Sequence, residues 1–176
     1  MTTPASPEWI RIIDVRHLPA GQVEILADDT ERRRLAGRFG LTSIDDLVAT
    51  VAMQALETGI SVTGRIRAAV IQPCAISGED FAVAIDEPVD LRFVPTRDPA
   101  TPDEEIEISA DDCDEIEFDG LNFDLGETLA QTLALSIDPF AQGPDADRAR
   151  AEHGLAGESG NGAFAALAAL TSKDSA

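Results

Sequence analysis

The chain has 176 residues, enough for one domain with a hydrophobic core and too few for two enzymatic domains. It contains 33 Asp and Glu residues against 13 Lys and Arg residues, which gives a formal net charge of -20. Binding of nucleic acid through a broad basic face is therefore disfavoured, because the mean field of the chain repels phosphate. A basic partner would be attracted instead. Acidity that serves only solubility is the alternative.

Export and membrane insertion are not indicated by the sequence. Residues 1–7 lack the basic start and apolar run of a signal peptide. No stretch approaches the roughly 18 apolar residues that cross a bilayer. Cys74 and Cys113 are too few for a disulfide framework. We therefore expect a cytoplasmic protein with reduced thiols and no membrane partner.

The N-terminal part predicts two short strands. Residues 9–15 are rich in β-branched side chains, and a second run of strand-forming residues covers 22–27. Turn-forming residues at 17–21 separate them. This pattern indicates a hairpin or a strand pair, preceded by a flexible N-terminus at 1–8.

The next element is predicted to be a helix from about 29 to 39. Asp28 is followed three residues later by Glu31, a variant of the capping-box pattern that marks helix starts. Gly40 provides the stop signal. Apolar residues within this range lie on one helical stripe, so one face should pack on the core.

Alternation of apolar and polar side chains predicts a long antiparallel hairpin. Apolar residues occupy the odd positions from 47 to 55, which predicts a half-buried strand over 43–57. A helix is the alternative, because 53–56 contains good helix formers. The strand is preferred, since Thr58-Gly59 then forms a turn into a second alternating strand over 61–71.

A third strand and an acidic segment follow. Residues 81–93 alternate after a loop at 73–79, and Pro88 marks a bulge or an edge position because proline donates no backbone hydrogen bond. Between Asp98 and Asp119 the chain has 11 acidic residues and no basic one. Such a segment buries too little apolar surface to fold firmly, so 98–119 is predicted to be flexible.

The C-terminal part predicts one long helix, a linker and one short helix. In the helix near 124–138, Asp124 is the N-cap and Glu127 follows at the third position. Residues 141–162 are predicted to be a flexible linker. The last segment, 163–176, should contain a short apolar helix that docks on its own domain or on a partner.

Together these elements predict an α+β fold. A single domain over 9–140 would have a mainly antiparallel β-sheet of five or six strands, packed by the two longer helices. The short C-terminal helix would follow after the flexible linker.

Residue types suited to catalysis or metal binding are few. A zinc site needs several converging thiolate or imidazole ligands, and His17, His153, Cys74 and Cys113 include no close pair. The chain has no nucleophile motif, P-loop or dinucleotide fingerprint. We expect no catalytic residue, no metal, no cofactor and no small-molecule substrate.

The first predicted helix carries the main basic cluster. Its arginines could bind phosphate, and two arginines of the strand over 61–71 could extend the cluster if their outward face lies nearby. Pairing of these arginines with the abundant carboxylates is the favoured alternative. The candidate RNA or partner contacts are Arg32, Arg33, Arg34, Arg38, Arg65 and Arg67.

Several short motifs, in a fixed order, resemble the large ribosomal RNA subunit accumulation proteins of the YceD-like family. The motifs are Leu18-Pro19, Gly21-Gln22, Arg38-Phe39-Gly40, Val62-Thr63-Gly64-Arg65, Gln72-Pro73-Cys74, Phe93-Val94-Pro95, Asp124-Leu125-Gly126-Glu127, Asp138-Pro139 and the tail 164–170. The resemblance covers 9–172. Many members carry a second cysteine three residues after the one aligned with Cys74, where this chain has Ser77.

The resemblance implies a role in the synthesis, processing or stability of large-subunit rRNA in bacteria, and it brings no catalytic residue. Its motif positions expected to be structural are Gly64, Cys74, Asp124, Glu127 and Pro139. Combined with the charge, it suggests a non-enzymatic factor whose acidic surface binds basic ribosomal or assembly proteins. The candidate acidic contacts are Asp103, Glu104, Glu105, Asp111 and Asp112.

Two alternatives to this function remain. The first is an RNA-binding factor that uses the arginine-rich first helix, so that ribosomal RNA is contacted directly through a small patch. The second is a general acidic interaction module without a ribosomal link.

Overall fold

A computed structural model describes residues 8–96 and 115–154 of the chain. The elements in chain order are β1 (Ile12–Asp14), β2 (Gln22–Leu26), α1 (Asp29–Phe39), β3 (Ser43–Leu56), β4 (Gly59–Pro73), β5 (Asp80–Pro95), β6 (Glu115–Phe118), β7 (Asn122–Asp124), α2 (Leu125–Ser136) and α3 (Ala146–Glu152). A five-stranded sheet has the order β2-β3-β4-β5-β6, and β1 pairs with β7 in a two-stranded sheet. Among the strand pairs of the described ranges, only β5 and β6 run parallel. The α+β prediction is confirmed.

The long hairpin of β3 and β4 forms the centre of the larger sheet. Leu56 pairs with Gly59 at the turn, and the pairing continues to Ser43 opposite Ile71, with one irregularity near Asp45. The strand prediction for 43–57 is therefore confirmed, and its helical alternative is wrong. Period-2 alternation decides the outcome because only a strand buries every second side chain of this segment.

One face of this sheet is buried and the other is exposed. Val51, Val62 and Ile66 are fully buried, whereas Arg65 and Arg67 on β4 point to the exposed face. The apolar stripes of α1 and α2 join the buried face in one hydrophobic cluster. Each fully buried leucine in it contributes about 1.5–3 kcal/mol through removal of apolar surface from water. Both predicted packing helices are confirmed.

Helix α1 begins and ends as its sequence predicts. The Asp28 carboxylate accepts hydrogen bonds from the backbone N–H groups of Thr30 and Glu31, and the Glu31 carboxylate accepts one from the Asp28 N–H. Gly40 ends the helix with a φ of 68°, a left-handed conformation that glycine adopts without steric cost.

The predicted pairing of the first two strands is wrong. β1 pairs with β7, and β2 pairs with β3. The Arg11 backbone N–H donates to the Asp124 carboxylate, and the Leu125 N–H donates to the Arg11 carbonyl. The partner of β1 thus lies more than a hundred residues away, where local turn signals carry no information about pairing.

Strand β5 runs without interruption past its proline. Pro88 pairs with Arg65 of β4 in a continuous register, so the bulge interpretation is wrong. β6 pairs only with the stretch of β5 from Arg92 to Pro95. In the described part of the chain no strand lies on the other side of Pro88, which confirms the edge alternative.

Two segments predicted to be flexible contain regular structure. The end of the acidic range 98–119 forms β6, whose Phe118 is buried, so that prediction is wrong for 115–118. Helix α3, with buried Ala146 and Ala149, lies within the predicted linker. Arg92 pairs with Glu115 at 3.3 Å, which offsets one charge at the start of β6. Residues 1–7, 98–114 and the segment 163–171, predicted to be a C-terminal helix, lie outside the described residues.

Candidate interaction surfaces on helix α1 and the sheet

Two of the four predicted contact arginines on α1 are committed to ion pairs within the fold. Arg32 pairs with Asp29 and also donates to the Ala27 carbonyl at 2.8 Å. Arg38 donates two hydrogen bonds to the Glu127 carboxylate, at 2.8 and 2.9 Å, and a third to Glu8. Arg38 therefore ties α1 to α2. For these two arginines the favoured pairing with carboxylates is found.

The other two arginines of the cluster have no such partner. Arg33 and Arg34 are exposed, and neither is within salt-bridge distance of a described carboxylate. Arg33 donates only to the Thr30 hydroxyl, at 3.1 Å. The described ranges contain eleven arginines, and the other nine all form ion pairs. Within the described ranges, Arg33 and Arg34 are thus two adjacent cations without an ion pair.

A groove of about 560 Å³ runs between α1 and the start of β3. Arg33 and Gly37 line it on the helix side, and Asp45 lines it on the strand side. Buried apolar residues, Leu41 and Ile44, contribute to its lining. Asp29 and Arg32 also line it, so the groove combines an apolar part with charges of both signs.

Arg65 and Arg67 do not extend the α1 cluster. Both lie on the exposed face of the sheet, whereas α1 packs on the buried face. Each pairs with Asp86, Arg65 at 2.7 Å and Arg67 at 3.5 Å. Arg65 also lowers the pKa of the Asp86 carboxyl through its hydrogen bond. The structure separates these two arginines from Arg33 and Arg34.

A group of carboxylates at one end of the large sheet was missed by the sequence reasoning. Ser43 donates its hydroxyl to Asp45 at 2.8 Å, and the neighbouring Thr42 hydroxyl donates to Asp80 at 2.7 Å. Asp46 follows directly in β3. None of the three carboxylates is within salt-bridge distance of a described arginine. We call Asp45, Asp46 and Asp80 the acidic end.

The sequence offered a weak signal for the acidic end, because two hydroxyl residues directly precede an Asp pair in the chain. Only the fold brings Asp80 to them. The acidic contacts predicted at Asp103, Glu104, Glu105, Asp111 and Asp112 lie outside the described residues.

A protein-family comparison identifies the chain. The family model described as large ribosomal RNA subunit accumulation protein YceD matches residues 62–171. The chain belongs to this family. Membership in the YceD family implies a role in the accumulation of large-subunit rRNA. No curated protein and no solved structure matches the chain significantly.

The range matched by the YceD family model begins at Val62 in β4 and continues through α3. Helix α1 with Arg33 and Arg34 lies before it, as do Asp45 and Asp46. The family match therefore implies no role for these residues.

Several YceD motif residues have structural contacts. The Asp124 carboxylate accepts hydrogen bonds from the Gly126 and Glu127 N–H groups and so caps α2. A side chain at Gly64 would place its Cβ 2.1 Å from the Thr50 carbonyl oxygen, so β3 and β4 approach closely only with glycine there. Pro139 lies just beyond the end of α2.

Cys74 is buried at the end of β4. Its Sγ accepts hydrogen bonds from the Ile76 and Ser77 N–H groups at 3.4 Å. Hydrogen bonding from Ser77 lowers the pKa of the Cys74 thiol to about 7. Ser77 thus stabilises the thiolate form of Cys74 through these hydrogen bonds. Among the described residues, no group of three His, Cys, Asp or Glu side chains could hold a metal ion, and no helix could span a membrane.

The ion pair between Arg38 and Glu127 makes a prediction for pH dependence. The hydrogen bond from Arg38 lowers the pKa of the Glu127 carboxyl from its ordinary value of 4.5. Stability from this pair is complete above that ordinary value and is lost as the pH falls through the lower folded pKa. We expect the difference in unfolding free energy between the native protein and Glu127→Gln to shrink on acidification, as measured by urea melts.

The control for this prediction is Glu24→Gln, which removes an exposed carboxylate that has no described ion pair. Its effect on stability should be small at every pH. A Glu127→Gln difference that grows as the pH falls would contradict the assigned sign.

Proposed function

We propose that this YceD-family protein is a non-enzymatic factor in large ribosomal subunit biogenesis. It supports the synthesis, processing or stability of 23S rRNA by holding a basic ribosomal or assembly protein on its acidic surface. The observation that carries the proposal is the surplus of unpaired carboxylates. The described ranges contain twenty-three Asp and Glu residues, of which ten pair with an arginine, leaving thirteen that do not.

The acidic end is the part of this surface best suited to a cationic partner. Asp45 and Asp80 accept hydrogen bonds from neutral hydroxyl groups, and no described arginine lies within salt-bridge distance of either carboxylate. At physiological ionic strength, charges are screened over about 8 Å, so a partner responds mainly to the charges nearest to it. Lysine and arginine side chains of a basic protein would complement it and speed the encounter.

The non-enzymatic part of the proposal is supported by the family description, which names rRNA accumulation rather than a reaction. His17 lies in an exposed turn with its side chain 80% accessible, 3.6 Å from Asp14. Catalytic acids and bases usually lie in clefts, and an open turn is not a cleft.

The experiment that tests the partner is affinity capture at physiological salt with the full chain. The native protein should retain basic proteins of the large subunit or of its assembly. Asp45→Asn, Asp46→Asn and Asp80→Asn combined should lose most of this capture, because asparagine keeps the hydrogen-bonding capacity and removes the charge. Quantitative mass spectrometry of the captured proteins measures the loss.

A matched control removes three carboxylates elsewhere on the described surface: Glu24→Gln, Glu87→Gln and Asp90→Asn. None of these three has an arginine within salt-bridge distance. Equal losses from the two triple variants would point to overall charge rather than to the acidic end. Captured proteins that are basic but unrelated to ribosomes would favour a general acidic interaction module and count against the proposal.

A further inference from the structure

We infer that the exposed face of α1 formed by Arg33, Arg34 and Gly37 binds phosphate groups of an RNA backbone. We call these three residues the α1 arginine face. The inference deepens the proposed function by adding a direct RNA contact to a protein that holds a basic partner elsewhere. It uses none of the residues of the acidic end.

The distribution of ion pairs around α1 supports an anionic ligand. Carboxylates outnumber arginines by about two to one in the described ranges, and yet Arg33 and Arg34 have none within salt-bridge distance. The carboxylates nearest in sequence are already used, because Asp29 pairs with Arg32 and Glu31 pairs with Arg11. Two adjacent cations without a counterion among the described carboxylates suggest an anionic ligand.

The geometry of α1 places Arg33, Arg34 and Gly37 next to one another. Successive residues are separated by about 100° around an α-helix, so Arg33 and Arg34 point to neighbouring directions on the solvent side. Gly37 follows Arg33 by four residues and Arg34 by three, which places it beside both of them one turn further along. Each guanidinium can donate two hydrogen bonds to one phosphate, so the pair can bind consecutive phosphates of a strand.

Gly37 has no packing role that would require a glycine. A Cβ at Gly37 would have no atom within 4 Å, so packing does not require a glycine there. Glycine is much less favourable than alanine in a helix interior. Its use on an exposed face leaves the helix backbone open for close approach by a ligand between the two arginines.

The net charge of the protein opposes RNA binding and determines its strength. Screening limits the effect of distant carboxylates to about 8 Å at physiological salt. Asp45 lines the same groove as Arg33, and its negative charge opposes a phosphate there. Binding should therefore be weak and salt-dependent. The logarithm of the association constant should fall with the logarithm of the salt concentration, with a slope of about 0.7 per phosphate contact on single-stranded RNA.

The test is fluorescence anisotropy of a labelled single-stranded oligoribonucleotide of mixed sequence, titrated with the full chain at several salt concentrations. Arg33→Gln and Arg34→Gln combined should weaken binding about tenfold and reduce the salt slope by about 1.4, since two phosphate contacts are lost. The matched control is Arg148→Gln with Arg150→Gln on α3. It removes the same charge from two arginines that are ion-paired, and it should weaken binding by less than about twofold.

A second variant tests the site without changing charge. Gly37→Gln adds a neutral side chain between the arginines and should also weaken binding, with the helical circular dichroism signal retained. Equal weakening by the two arginine double variants, or unchanged binding by Gly37→Gln, would overturn the assignment to α1. So would an absence of salt-dependent RNA binding by the native protein.

Loss of an acidic protein, rather than of RNA, from captures with the Arg33 and Arg34 variant would show that the face binds protein and would also overturn the inference. Each of these results leaves the acidic-end captures unaffected. Failure of the RNA contact and failure of the proposed partner can therefore be told apart.

Discussion

Leu133→Ala should lower the free energy of unfolding by about 2–5 kcal/mol, because it removes buried methyl groups and leaves a cavity. Leu133 lies on α2 with 0% of its surface exposed, within the cluster that joins α2 to the sheet. Urea melts followed by circular dichroism measure the change. The matched control is Leu135→Ala in the same helix, since Leu135 is 89% exposed.

The control should change stability by less than about 0.5 kcal/mol, as surface substitutions away from special features usually do. The two variants remove the same atoms from the same helix, so helix propensity changes equally in both. Similar losses from Leu133 and Leu135 would mean that α2 does not pack on the sheet through the face described above.

Gly126→Ala should destabilise the protein by about 1–3 kcal/mol, although alanine is the better helix former. A Cβ at this position of α2 would lie 2.1 Å from the Trp9 carbonyl oxygen and 2.9 Å from the Arg11 nitrogen. These are backbone atoms of the segment leading into β1, so they move only if that segment shifts away from α2. Thermal or urea unfolding of the purified variant measures the loss.

Gly37→Ala is the matched control, because it makes the same substitution in the other long helix with open space around the new Cβ. It should stabilise the protein by about 0.5–1 kcal/mol through reduced backbone entropy of the unfolded chain. The two glycine variants should thus shift the unfolding midpoint in opposite directions. Shifts of the same sign would contradict the contacts assigned to Gly126.

Local sequence signals were sufficient for the elements that are defined by their own residues. The Asp28 and Glu31 capping box predicts α1 within its observed limits, and Asp124 predicts the start of α2. Alternation of apolar and polar residues predicts β3 and β4, because successive side chains of a strand point in turn to the core and to solvent. The resemblance to the YceD family also rested on short local motifs, and the family comparison confirms it.

Features that depend on distant partners were not predictable in this way. β1 pairs with β7, more than a hundred residues away in the chain. The two apolar residues of β6 alternate with acidic ones, so the pattern of the segment indicates a charged loop. Small alanines made α3 look like part of a linker. In each case, tertiary contacts stabilise a segment whose own pattern is weak.

The candidate sites also depend on contacts between residues that are distant in the sequence. Four arginines of α1 are close in sequence, and nothing local distinguishes Arg33 and Arg34 from Arg38. The difference arises because Glu127, 89 residues further along the chain, binds Arg38. Likewise, Asp80 reaches the acidic end only through the pairing of β4 with β5.

The most direct test of the proposed role is the ratio of large-subunit to small-subunit rRNA in cells that lack the native gene for this protein. Cells supplied with the native protein should have a normal ratio. Cells supplied with the variant in which Asp45, Asp46 and Asp80 are replaced by asparagine should have a low ratio at equal protein abundance. A normal ratio in cells without any form of the protein would contradict a role in large-subunit rRNA accumulation, and a normal ratio with the variant would contradict the role assigned to the acidic end.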